Sequence, residues 1–363
     1  MKKVLIFVVI GLLLAGSLFA DEAILIDFSL LAADINVKIS PNDPGDKPNQ
    51  NRQTMMDFGG VAGSSFTTEQ KAVMKTSLAI ENWEVILSSS SRNVTNMVKS
   101  YTREAPSRQW GTVMGVRIHF PVEYFNSHAF IKPPFEIPAY EPQANVQDDG
   151  TIEPSEDGDG ITGPSRFEAP AGDNGKPDNT QPAYGVVKNV GSIKAVAVNA
   201  YGLNFPHGLS AILIDSLGIQ KTVFLGYLNF DGWGELTWNN PAYIQEVRNR
   251  DLRLFPLYPA STPFVKFGGF LIQRDGAKEG GDFVTYFKDV KIIYDKAVLD
   301  TDRDIEDEAL WHIIYDRETA RKVWEMERFG QNQVLRYLDI QKQSHEDVDQ
   351  FGRAVFTPSP TNQ

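Results

Sequence analysis

Three segments in the second half of the chain decide the fold: IKAVAVNAY (Ile193 to Tyr201), LSAILID (Leu209 to Asp215) and KTVFLGYLNF (Lys221 to Phe230). Each is rich in β-branched, aliphatic or aromatic residues and is bounded by Gly, Pro or Asn/Asp, the signature of short strands joined by turns. The Asp231-Gly232 pair reads as the next turn, and the strand pattern resumes from Glu235 to Trp238. Two further segments close the series, Phe264 to Gln273 and Phe283 to Tyr294. Helices do not alternate with these strands, so a parallel sheet is excluded. The fold class expected is mainly β, an antiparallel β-sandwich or jelly roll.

Working outward, Ser77 to Leu87 (SLAIENWEVIL) reads as two short strands or one bent strand. Gly115 to Phe120 alternates and stops at Pro121, and Ala129 to Pro138, peppered with proline, reads as an edge strand. Between the two β-rich halves lies a stretch of different character, Glu141 to Gly185, with ten acidic residues against two basic ones, six prolines and seven glycines. It has too little apolar surface to offset its ordering entropy, so a long acidic, Pro/Gly-rich flexible loop is expected over 141–185. From Asp302 the pattern turns helical. Asp304, Glu306, Asp307 and Glu308 load a first turn with negative charge, and Leu310, Ile313, Ile314, Ala320, Val323 and Trp324 fall roughly on one side. Gly330 is expected to break this helix and Trp324 to anchor it on the sandwich or on a neighbouring subunit. The organisation expected is a leader over 1–20, a sandwich domain over 21–300 carrying the 141–185 insertion, a C-terminal helical segment over 301–345 and a tail over 346–363.

The first residues carry an address. Lys2 and Lys3 precede an apolar run from Val4 to Leu14 and a small-residue stretch ending at Ala20, before Asp21 and Glu22. This is the order of a secretory signal peptide, with cleavage expected between Ala20 and Asp21. The apolar run is well short of the roughly 20 residues that span a bilayer, so no membrane insertion is expected. The sequence contains no cysteine, which rules out disulfides, thiolate metal sites and a lipid-modified cysteine, and leaves stability to the core. Twenty-two Phe, 12 Tyr and 6 Trp supply the material for one. The net charge of −12 argues against nucleic acid as a partner.

Catalytic signatures fail on inspection. A G-x-G-x-x-G occurs at Gly158, Gly160 and Gly163, but inside the acidic loop without the strand and helix that a dinucleotide site needs. Asp300, Asp302 and Asp304 imitate the start of a calcium loop, yet its sixth and twelfth positions hold Ile305 and Trp311. The five histidines are scattered and no G-x-S-x-G elbow exists. No catalytic, cofactor or metal residues are assigned and no enzyme is expected. What remains is aromatic: Tyr227, Trp233 and Trp238, with Trp324, are the candidates for a protein interface or a sugar-stacking platform.

Asn82-Trp83-Glu84-Val85, WGTVMGVRIHFP (Trp110 to Pro121), Gly232 to Pro241 and FKDVKIIYD (Phe287 to Asp295) together carry a resemblance, to which Glu318 to Arg321 adds. The chain resembles the outer-layer (sheath) proteins of spirochaete periplasmic flagellar filaments, over nearly the whole length after the leader. The resemblance implies a periplasmic structural subunit coating a core of flagellin. Its implied partners are flagellin core subunits, other copies of the chain and a second sheath protein; it supplies no catalytic residues. The alternative is an exported carbohydrate-binding jelly-roll protein.

Overall fold

The computed structural model describes residues 21–36, 48–57, 75–123, 126–139, 190–215, 218–243, 265–276 and 280–296, with shorter pieces and isolated positions up to 335. The leader, most of 141–185 and the tail lie outside the described residues. The strands of the sandwich are, in chain order, β1 (Asp21–Asp27), β2 (Glu84–Leu87), β3 (Tyr101–Ser107), β4 (Gly111–Phe120), β5 (His128–Lys132) and β6 (Ile137–Pro138). Then follow β7 (Val190–Leu203), β8 (Gly208–Ile214), β9 (Gln220–Tyr227), β10 (Asp231–Asn239), β11 (Lys266–Gln273) and β12 (Gly281–Lys296). One short helix, α1 (Val94–Lys99), joins β2 to β3.

These strands form two antiparallel sheets of six, so the chain is an antiparallel β-sandwich. The first sheet runs β10-β7-β12-β4-β3 and the second β9-β8-β11-β5-β2. Strand β12 is long enough to take two partners end to end on one edge: β4 lies along Gly281 to Phe287, and β1 along Asp289 to Tyr294. Strand β11 does the same with β5 and β6. Both sheets therefore interleave strands from before and after the acidic stretch.

The core fills the space between the sheets. Val196, Val198, Phe283 and Phe287 face inward from the first sheet, and Leu209, Leu213, Phe267 and Phe270 from the second. Phe270 and Phe287 stack across the gap at 4.5 Å and 9°. Burying each such ring contributes roughly 1.5–3 kcal/mol. A register shift in the β7–β12 pairing at Asn199/Ala200 inserts Lys288 as an extra residue. Phe283 and Phe287 point inward before it and Val290 and Ile292 after it, which leaves Lys288 on the outer face.

Several sequence expectations need correction. Ser77 to Leu87 is neither two short strands nor one bent strand: Ile80–Asn82 forms a 3-10 turn, and only Glu84–Leu87 pairs. The Trp83 indole fixes that turn by donating to the Leu78 carbonyl at 3.0 Å. Only the end of Ala129 to Pro138 is an edge, since β6 pairs with β11 alone among the described residues. Pro133 and Pro134 fall in the break between β5 and β6, so β5 keeps its donors and sits between β11 and β2. The chain reverses before Asp231-Gly232, which already pair with Leu203 and Gly202. The reversal is early because Phe230 packs on Gly202 and Gly234, where a Cβ would meet the ring at 2.9 Å. Strands β1 and β3 carry little apolar alternation and were not foreseen. Among the described residues, helical positions occur at Leu310 and Trp311 and again between Ile313 and Leu335, with His312 (φ 50°) between them; Gly330 is itself helical and buried, so it does not end the helix.

Candidate functional site

An aromatic cross-strand row runs over the outer face of the first sheet. Trp233 on β10 lies opposite Tyr201 on β7, Tyr201 opposite Tyr286 on β12, Tyr286 opposite Gly115 on β4, and Gly115 opposite Arg103 on β3. Alternation puts these residues outside, because their strand neighbours Ala200 and Phe287 face the core. The rings meet edge to face, Tyr201 with Trp233 at 5.3 Å and 78°, and Tyr201 with Tyr286 at 5.9 Å and 81°. Gly115 makes room for the third ring, since a Cβ there would stand 3.2 Å from the Tyr286 ring. Trp110, in the turn between β3 and β4, folds over the same face and reaches Trp233 at 6.5 Å while staying 38% exposed.

Lys288 anchors this face from below. Its Nζ donates to Asp27 Oδ2 at 2.7 Å, approaches Asp289 Oδ2 at 3.1 Å and sits 5.5 Å from the Trp110 ring. Its side chain is only 12% exposed. Burial alone lowers its pKa, but the bonds to Asp27 and Asp289 outweigh burial and hold it above the ordinary lysine value. Asn199 donates to Asp289 at 2.6 Å, so both carboxylates are tied down. Further along, Lys291 bridges Glu235 at 3.3 Å and Glu22 at 3.5 Å. Strand β1, just after the expected cleavage point between Ala20 and Asp21, is thus pinned to the same face.

A second feature lies at one end of the sandwich, a cleft of about 430 Å³ lined by Phe120, Phe205, His207, Gly281 and Asp282 among others. His207 is 5% exposed and packs 4.9 Å from the Phe283 ring. Its Nδ1 has no hydrogen-bond partner of good geometry; the Pro206 carbonyl favours the protonated ring only weakly. Burial, helped by the positive charge of Arg274, lowers its pKa to about 4, so the ring is neutral at neutral pH. At the rim Asp282 accepts from Arg117 at 2.8 Å and approaches His119 Nδ1 at 2.7 Å. Hydrogen bonds from Arg117 and His119 lower its pKa to about 2. Among the described residues no group of three or more His, Asp or Glu side chains forms a metal-binding cluster.

The candidate aromatics do not form one cluster. Trp233 is in the outer row, whereas Trp238, five positions on, faces inward opposite Val196 and packs against the core. Tyr227 belongs to the other sheet, where it meets Phe224 at 5.1 Å and is exposed. Trp324 does not dock on its own sandwich; it is 57% exposed, with the Arg328 guanidinium 5.1 Å above its ring. Val334 and the 2.9 Å Arg328–Glu136 pair dock that helix instead. Trp110, Tyr201, Tyr286 and Lys288 were missed by sequence reasoning. Their signal is cross-strand register, which appears only once the strands are paired.

The fold is an antiparallel β-sandwich with a packed interior and a half-exposed row of aromatic and ion-paired side chains on one face. Comparison with known sequences gives the family. The profile of the family described as "Flagellar filament outer layer protein Flaa" matches residues 47–303. A flagellar filament outer layer protein of Treponema pallidum (strain Nichols) is 47% identical, over 99% of this chain and 97% of its own. One from Spirochaeta aurantia is 43% identical over 93% and 92%, and one from Borreliella burgdorferi 28% over 72% and 70%. The chain belongs to the flagellar filament outer layer protein family. Among solved structures, carbohydrate-binding modules of the β-sandwich superfamily align at TM-score 0.28 and 7% identity, over 59% of this chain and 58% of theirs. A module solved with β-1,4-galactotriose aligns at 0.25 and 10%, over 59% and 90%. Likeness at that level carries no functional argument.

Proposed function

We propose that this chain is a structural subunit of the outer layer of a periplasmic flagellar filament, and that it coats a core of flagellin and acts by binding, without catalysis. Family membership supports the filament role, and the Lys2 to Ala20 leader pattern supports export. One observation carries the choice of surface: the row Trp233–Tyr201–Tyr286 with Trp110, half-exposed on the broad outer face of the first sheet. Trp and Tyr are the residues that most often dominate interfaces, and a sheet face backed by a packed core presents them rigidly. We assign this face to the contact with the filament core. The sugar-stacking alternative is disfavoured, because rings crossed at 78° to 85° do not offer a common plane.

Co-sedimentation with purified core filaments tests the assignment. Trp233→Ala combined with Trp110→Ala is expected to weaken binding at least tenfold while the melting temperature falls by only a few degrees. Unchanged binding in a folded variant would move the contact to another surface. Tight binding of the purified chain to a defined glycan, together with indifference to filaments, would overturn the coat reading in favour of a lectin.

A further inference from the structure

The two long sides of the sandwich, where the sheets end, carry unlike charges and exposed apolar residues. On one side β2, α1 and β3 lie together; on the other, β9 and β10. Each sheet is five strands wide, so four strand spacings, about 20 Å, separate them. Helix α1 turns Val94, Met97 and Val98 outward, at 39–59% exposure, spaced i, i+3 and i+4 so that they share one face. Strand β9 and the turn before it leave Ile219, Phe224 and Tyr227 at 44–58% exposure. Single exposed apolar residues are ordinary, but two grouped sets on opposite sides are not.

Charge distinguishes the sides. From the start of β2 to Arg108 the chain has four basic residues, Arg92, Lys99, Arg103 and Arg108, against Glu84 and Glu104. Glu104 is already engaged, accepting from the Ala33 amide at 2.9 Å. From Asp215 to Asp231 there are two carboxylates, Asp215 and Asp231, against Lys221; Glu235 beyond them is already paired with Lys291. A locally basic side in a chain of net charge −12 runs against its average and matches the opposite side of the same molecule.

We propose that the α1 side of one copy seats against the β9 side of the next, an apolar contact framed by complementary charge. The two surfaces differ, so the contact is heterologous and does not close into a dimer; repeated, it forms a row of sandwiches side by side. The occupant of each side is a second copy of this chain. The inference rests on the coat reading only for the expectation that such a row forms on a filament.

The absence of cysteine permits a clean test. Met97→Cys and Phe224→Cys are placed at the two exposed patches, singly and together, in the full chain bound to filaments and in concentrated solution, then treated with a short bismaleimide. The double variant is expected to give a ladder of dimers, trimers and longer products. Each single variant alone should remain monomeric, and a mixture of the two should stop at dimers. In the double-cysteine background Arg92→Glu or Asp231→Lys should reduce the ladder at least tenfold, and mixing those two chains should restore it. Self-linking of either single variant would establish a symmetric contact and overturn the proposal. A monomeric double variant on filaments, or linkage of either site to a different protein, would overturn it while leaving the coat reading intact. A ladder in a chain that ignores filaments would sink the coat reading alone.

Discussion

The inside and the outside of the first sheet are both aromatic, and they solve packing differently. Inside, Phe287 lies flat on Phe270 at 9°, because two sheets press the rings together and bury them fully. Outside, Tyr201 meets Trp233 and Tyr286 at 78° and 81°, with no second layer among the described residues to flatten them. Edge-to-face contacts hold the outer rings in place without covering them. The same residue types thus make stability on one face and a preformed contact surface on the other. Lys288 is the join between the two, since the register shift that brings it outside also resets the inward phase of β12.

The sharpest way to break this comparison is from the inside. Phe287→Ala should cost about 3–5 kcal/mol, a large share of the roughly 5–15 kcal/mol of a whole domain. Calorimetry should register it with or without filaments. If the cost is instead below about 1 kcal/mol, the interior is not where the stability lies. Next comes the join. Lys288→Ala leaves Asp27 and Asp289 facing each other with their shared cation gone, and removes the support under Trp110. An expected loss of about 2–3 kcal/mol accompanies weaker filament binding. Lys288→Met should recover packing under the indole but not the ion pairs, which separates the two contributions.

Acid sharpens the comparison at the cleft. His207 is held near pKa 4 by burial, against 6.5 for the free side chain. The unfolded chain therefore takes up the proton first, and stability is lost as pH falls from about 6.5 toward 4. That loss is on the order of 2 kcal/mol at the acid end. Urea melts at pH 7 and pH 4.5 should show it, and His207→Phe should flatten the slope in this window. Asp282 acts lower, its contribution fading from about pH 4 toward pH 2. The smallest effect is reserved for Trp324→Ala. An exposed ring under Arg328 should change stability by less than about 1 kcal/mol. A cost near 3 kcal/mol would mean that the indole is buried.

The strands after the acidic stretch were legible because β8 and β11 are apolar on both faces and β7 carries an unbroken apolar run from Ala195 to Val198, so composition alone marks them. Strands β1 and β3 were not, since Asp21–Asp27 and Tyr101–Ser107 owe their extended form to partners far along the chain. The candidate site was half legible. Trp233 was singled out, but Trp238 stands an odd number of residues away and strand parity sends it to the opposite face. That much was available from counting. The row through Tyr201, Tyr286 and Gly115 was not, because register is a tertiary property.

The first strand has to wait for the last. Asp27 meets Lys288 261 positions later, and the first sheet cannot form until nearly all of the chain is available. Contacts this distant in sequence make folding slow, because the loop-closure entropy must be overcome before the pairing rewards it. A polypeptide of this topology remains threadable for most of its synthesis, as the export proposed above would require.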